Sequence, residues 1–129
     1  ADWLFWLHYA ETLGCGVQNL NMQHLFLPDP SMQSPVVMAM ETKRLAIAMK
    51  AVERALQDRD FLLARGFSGA DIMMGFTLHA ASHYIRMDKF PRTDAYMRRL
   101  AERPTYQAAE QAEGKPQFYN QEFYDLPDY

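Results

Sequence analysis

The stretch from Phe67 to Ile85 sets the strongest limit on what this chain can fold into. It reads Phe67-Ser68-Gly69-Ala70-Asp71-Ile72 and continues through Met73, Met74, Gly75, Phe76, Thr77 and Leu78 to His79, His83 and Ile85. Ser68 and Asp71 have the spacing of a capping box: the hydroxyl accepts from the backbone three residues on, and the carboxylate reaches back to the Ser68 N–H. Two orphan donors at a helix start are satisfied together. Asp is the shorter version of the usual Glu or Gln at that position. Phe67 and Ile72 flank the cap at hydrophobic-staple spacing. Beyond Asp71 no residue up to Ile85 carries a formal charge if the histidines are neutral. A helix apolar on every side belongs inside a protein, and this one falls short of the roughly 20 apolar residues that cross a bilayer. The stretch predicts a central, buried helix with others packed around it.

A chain of 129 residues is long enough for one domain with its own core. Val, Ile and Thr are scarce, while Leu, Ala, Met, Glu, Gln and Arg are plentiful, a balance that favours helix over strand. The expected fold class is all-α, a helical bundle. The formal charge is −3 and there is no basic run, which argues against nucleic-acid binding through phosphate neutralisation. The single cysteine, Cys15, cannot form an intramolecular disulfide and suits a reducing compartment. The start of the chain lacks a basic n-region and an apolar h-region. A cytoplasmic protein with no membrane association is the expectation.

A first helix is expected from Trp3 to Leu25, with Asp2 as its N-cap and apolar residues at Trp3, Trp6, Leu7, Ala10, Leu13 and Val17. A helix opening so near the first residue, without an initiator Met, suggests a piece of a longer chain. Gly14 and Gly16 inside this helix mark a bend or a close approach, because each costs about 1 kcal/mol against Ala. Leu27-Pro28-Asp29-Pro30 ends the pattern. Ser34-Pro35 opens a second, long helix with a stripe through Val37, Glu41, Leu45, Ala48, Val52 and Leu56, widened by Met40, Ile47 and Ala51, and it closes near Asp58-Arg59-Asp60. Phe61 to Gly66 forms a packed connection to the central helix. After a break at Arg86 to Pro91, Thr93-Asp94 starts a short helix with Ala95, Tyr96, Leu100 and Ala101 inward. Pro104 redirects the chain into a last helix from Thr105 to Ala112. Residues 113–129 form an aperiodic tail rich in aromatics, including Phe118, Tyr119, Phe123, Tyr124 and Tyr129.

Few residues invite chemistry. His79 and His83 share a helical face at i, i+4 spacing, yet a metal site needs further ligands and none is evident nearby. No metal is expected, and His79 reads as a hydrogen-bonded core histidine. Cys15 has no adjacent cation to lower its pKa and reads as a small side chain lining a cleft. Capping accounts for Asp71. The nine methionines read as adaptable core filler.

Taken together, several of these segments resemble one family. Phe67 to Ile72 is similar to the folding motif of the C-terminal helical domain of glutathione transferases. Trp6-Leu7-His8-Tyr9-Ala10-Glu11 resembles the first helix of that domain in bacterial and fungal members. Pro91, Tyr96, Leu100-Ala101-Glu102-Arg103-Pro104 and Tyr106 resemble its final pair of helices. The resemblance covers residues 1–112, in order. It implies an electrophile-binding and dimerisation domain of a bacterial-type transferase, a homodimer whose interface uses the first two helices. It also implies a thioredoxin-like N-terminal domain, absent from this chain, which would bind the co-substrate glutathione and stabilise its thiolate. No catalytic residue can therefore be carried over, and this domain is expected to bind no cofactor and to be inactive alone. The family's pocket for a hydrophobic electrophile is built from the far half of the first helix and the tail. Helical spacing then selects Glu11, Gly14, Cys15, Gln18 and Met22 as the lining face, with Phe118 and Tyr119 closing it. The alternative is a non-catalytic interaction module, since domains of this kind also serve as binding partners.

Overall fold

The computed structural model describes residues 2–114 and 118–127. Within them every regular element is helical, and Leu63–Gly66 is a lone bridge, so the all-α expectation holds. Helix α1 spans Asp2–Asn21 and widens into a π turn over Met22–Phe26. Asp2 lies inside the first turn, not outside it as a cap. α2 spans Pro35–Ala55, opened by Ser34, whose hydroxyl accepts from the Val37 N–H at 3.2 Å. α3 is Gly69–Ala81, α4 is Pro91–Ala101 and α5 is Pro104–Glu113. Tyr129 of the expected tail lies outside the described residues.

Long-range contacts fix the directions. Tyr9 donates to the Ala48 carbonyl at 2.6 Å and Asn19 to Glu41 at 3.2 Å, so α2 returns antiparallel to α1. Trp3 lies beside Gly69 and Asn21 meets Tyr84, so α3 runs parallel to α1. The core forms between them from Leu13, Leu20, Met49, Met74 and Leu78, with Leu62 and Tyr96 sealing one end. Gly75 permits α4 to approach, since a Cβ there would sit 2.8 Å from Leu100 Cδ1. Gly16 likewise faces Leu45, whereas Gly14 faces open space.

The capping box forms at the start of α3: Ser68 Oγ accepts from the Ala70 N–H at 3.2 Å, and Asp71 Oδ2 from the Ser68 N–H at 2.9 Å. Asp71 does more than cap. Its other oxygen accepts from the Leu62 N–H at 3.1 Å and the Tyr96 hydroxyl at 2.7 Å, joining the 61–66 connection, α3 and α4 at one fully buried carboxylate. Each of its hydrogen bonds is charge-assisted, which compensates the cost of burying it.

Four expectations need correction. α3 is not enclosed: Ala70, Met74, Leu78 and Ala81 face the core, but Ile72 is 62% and Phe76 75% exposed, with Met73 also outside. Polarity could not reveal this, because both faces of the helix are apolar and only one meets α1. In α2 the buried line is Met38, Leu45, Met49, Val52 and Leu56, while Val37, Met40 and Ile47 face outward; the apolar stripe was broad enough to admit two rotations. α4 begins at Pro91 because a carboxylate from another helix caps it: Glu53 accepts from the Arg92 and Thr93 N–H groups at 3.0 and 2.9 Å. Thr93 is buried there and Ala95 exposed. The staple pair also differs in setting, since Phe67 packs on Phe61 and under the Arg103 guanidinium, while Ile72 is exposed.

Candidate functional site

Where α1 ends, the backbone loosens into a π turn, a form that often accompanies functional sites. The turn brings His24, Leu25 and Phe26 against the first turn of α2 and the tail. Between them lies a cleft of about 560 Å³, within the range of small-molecule pockets. Its lining includes Leu25, Phe26, Met38, Phe118, Tyr124 and Pro127, together with the polar Gln33, Asn120, Gln121 and Asp125. Phe26 and Phe118 meet edge to face at 5.9 Å.

The tail is held without a backbone ladder, by a few side-chain fastenings. Tyr119 stacks on His83 at 3.9 Å and donates to Asn21 Oδ1 at 2.9 Å, an oxygen that also accepts from Tyr84 at 2.6 Å. His83 Nδ1 contacts the Glu122 carbonyl at 3.0 Å, and the Tyr124 N–H donates to the His83 carbonyl at 2.8 Å. The Tyr124 hydroxyl is fully engaged, donating to Asn120 Oδ1 and accepting from the Asn120 and Gln121 N–H groups. Arg86 pairs with Asp125 at 3.2 Å and lies over the Phe123 ring.

His24 is different. Its ring lies 5.0 Å from Tyr84 and 5.7 Å from Tyr124, and its Nε2 is enclosed with no hydrogen-bond partner among the described residues. Burial pushes its pKa below the ordinary value, so the imidazole is neutral near pH 7. Burial likewise raises the Tyr84 and Tyr119 hydroxyls, which keeps both as donors to Asn21. The cleft thus sets aromatic and aliphatic side chains beside amide, imidazole and carboxylate groups.

The residues expected to line a substrate wall separate in space. Phe118 lines the cleft and Tyr119 fastens the tail beside it. Glu11, Cys15, Gln18 and Met22 lie exposed on the outer side of α1, with half-buried Gly14 among them, and none of these lines the cleft. His79 is exposed instead of a core histidine, and His83 belongs to the tail fastening. Among the described residues no group of three His, Cys, Asp or Glu could hold a metal ion, and no helix is long and apolar enough to cross a membrane. His24, Phe26 and Met38 were missed as lining residues. The one available signal is the apolar stretch Leu25-Phe26-Leu27 just before two prolines, where a helix has to stop and side chains can gather.

No protein-family model, curated protein or solved structure matches this chain.

Proposed function

We propose that this chain is the C-terminal domain of a glutathione transferase, the part that binds a hydrophobic electrophile and dimerises, in a protein that transfers the glutathione thiolate to that electrophile. The observation that carries this reading is the cleft, lined in part by aromatic and aliphatic side chains, where the far end of α1 meets the tail, the two segments from which the resemblance builds an electrophile pocket. The capping box at Ser68 and Asp71 and the order of the helices support it. The exposed α3 face of Ile72, Met73 and Phe76 suits a preceding glutathione-binding domain, which would supply all thiolate chemistry. The outward Val36, Val37, Met40 and Ile47 of α2 suit a homodimer, because monomers seldom leave extended apolar patches uncovered.

The test joins this domain to its preceding sequence and measures glutathione transfer to a panel of chromogenic electrophiles. Transfer is expected from the longer protein and not from these 129 residues alone. Phe118→Ala should weaken turnover of bulky electrophiles more than small ones. Gly14→Leu, at a position where a Cβ meets nothing within 4 Å, tests whether the outer face of α1 joins the substrate wall. No transfer by the longer protein across the panel overturns the enzyme reading. The exposed α3 face then favours the second reading, a non-catalytic module that docks a protein through Ile72, Met73 and Phe76.

A further inference from the structure

We propose that the cleft selects an uncharged aromatic molecule of one or two rings that carries a hydroxyl, and that His24 is the residue that recognises the hydroxyl. The proposal takes only the place of the site from the reading above, and it holds whatever chemistry follows binding.

Several polar groups around the cleft are already engaged. Gln33 donates to the Gln23 carbonyl, the Tyr124 hydroxyl has three partners, and Asp125 is paired with Arg86. Among the described residues of the lining, His24 Nε2 is the one that is both enclosed and unpartnered. A buried polar atom left without a partner costs more than an average hydrogen bond returns, and such groups in native proteins call for an explanation. His24 is itself among the residues that line the cleft. The final torsion of histidine is broad and roughly two-fold, so turning the ring about χ2 presents Nε2 to the cavity without moving the backbone. A hydroxyl both donates and accepts through one atom, so it pairs with either neutral tautomer.

The rest of the lining fixes the remainder of the molecule. Phe26 and Phe118 offer ring edges and faces for a flat aromatic, and Met38 adapts to its outline. Among the described residues the lining contains no Lys or Arg, and its one carboxylate, Asp125, is already paired with Arg86. An aromatic carboxylate therefore finds no unpaired counter-ion among them, whereas a neutral aryl alcohol does not need one.

The test uses the 129-residue chain without glutathione and compares naphthol, naphthalene and naphthoate by equilibrium dialysis. Naphthol should bind about tenfold more tightly than naphthalene, the difference expected from one well-made hydrogen bond to a group otherwise left unpaired. Naphthoate should bind more weakly than either. His24→Phe should abolish the preference for naphthol while retaining naphthalene, His24→Gln should restore part of it, and Phe118→Ala should weaken both ligands alike. Equal binding of naphthol and naphthalene by the unaltered chain overturns the proposal, with no variant needed. So does a preference that survives in His24→Phe. Failure of the longer protein to transfer glutathione, with the naphthol preference intact, removes the transferase reading and leaves this inference standing.

Discussion

The two ends of α3 are built on opposite terms. At its N-terminus Asp71 accepts hydrogen bonds from Ser68, Leu62 and Tyr96, all inside the protein. At its C-terminus the chain turns through Ser82 to Tyr84 into a cluster of aromatic rings, where an irregular tail is fastened by side chains and one imidazole nitrogen has no partner. A satisfied buried network makes one arrangement much better than its neighbours. A surface tail with few fastenings can open at low cost. Stability is concentrated at one end of the helix and the cleft at the other, about 20 Å apart for thirteen residues at 1.5 Å each.

The largest effect should come from breaking the N-terminal end. Asp71→Ala removes half of the capping box and strands the Leu62 N–H and the buried Tyr96 hydroxyl. A cap alone is worth about 0.5–2 kcal/mol and each stranded buried donor about 1–3. The expected loss is therefore at least about 2.5 kcal/mol, read from the denaturant midpoint with an unchanged slope. A loss under about 1 kcal/mol would place the carboxylate in a far less important position than its burial suggests. Gly75→Ala, one turn further on, should cost about 1–3 kcal/mol as overpacking, because its Cβ would press on buried Leu100. A neutral or stabilising result would mean that Leu100 rotates aside freely.

The contrast between the two ends also explains what could be read in the sequence. The capping box lies within four consecutive residues, so Ser68 and Asp71 reveal it locally. The bonds from Asp71 to Leu62 and Tyr96 span nine and twenty-five positions, and no local pattern encodes them. The cap on α4 is invisible for the same reason, since Glu53 arrives from another helix. The exposed face of α3 was misjudged because polarity marks a surface only where the sequence varies around the helix, and here it does not. The cleft was legible only in outline: the resemblance pointed to the far end of α1 and the tail. Helical spacing placed the lining on Glu11, Cys15 and Gln18, whereas the π turn rotates the chain and brings His24 and Phe26 to the cleft.

A smaller effect should separate the ends by pH. Burial lowers the pKa values of His24 and His83 below the ordinary 6.5, with the neighbouring His79 adding to the effect on His83. Below about pH 6.5 the unfolded chain therefore binds more protons than the native one. Stability is highest above that value, and it falls as pH drops toward the lowered native values. Thermal midpoints measured from about pH 7.5 to pH 5.5 should decline, and His24→Phe should flatten the decline. An unchanged slope in that variant would mean the imidazole is not held neutral. Asp71 contacts neither histidine, so loss of its network should lower the midpoint at every pH without altering this slope.

The smallest change tests whether the tail opens apart from the bundle. Tyr119→Phe deletes one hydroxyl and nothing else. Asn21 Oδ1 still accepts from Tyr84, and the aromatic stack on His83 keeps its shape. No buried acceptor is left empty, so global stability should change by less than about 0.5 kcal/mol. The tail, however, loses one of its few fastenings. The Tyr124 amide, bonded to the His83 carbonyl, should then exchange its hydrogen several-fold faster. The Asp71 amide and the amides of α3 that close on the core should keep their rates, because local openings and global unfolding are separate events. If tail and core amides accelerate together, the tail is part of the cooperative bundle and the contrast between the two ends of α3 fails. If the Tyr124 amide alone responds, the cleft has a wall that moves while the helix beneath it stays fixed, and a ligand bound in the cleft should slow that exchange again.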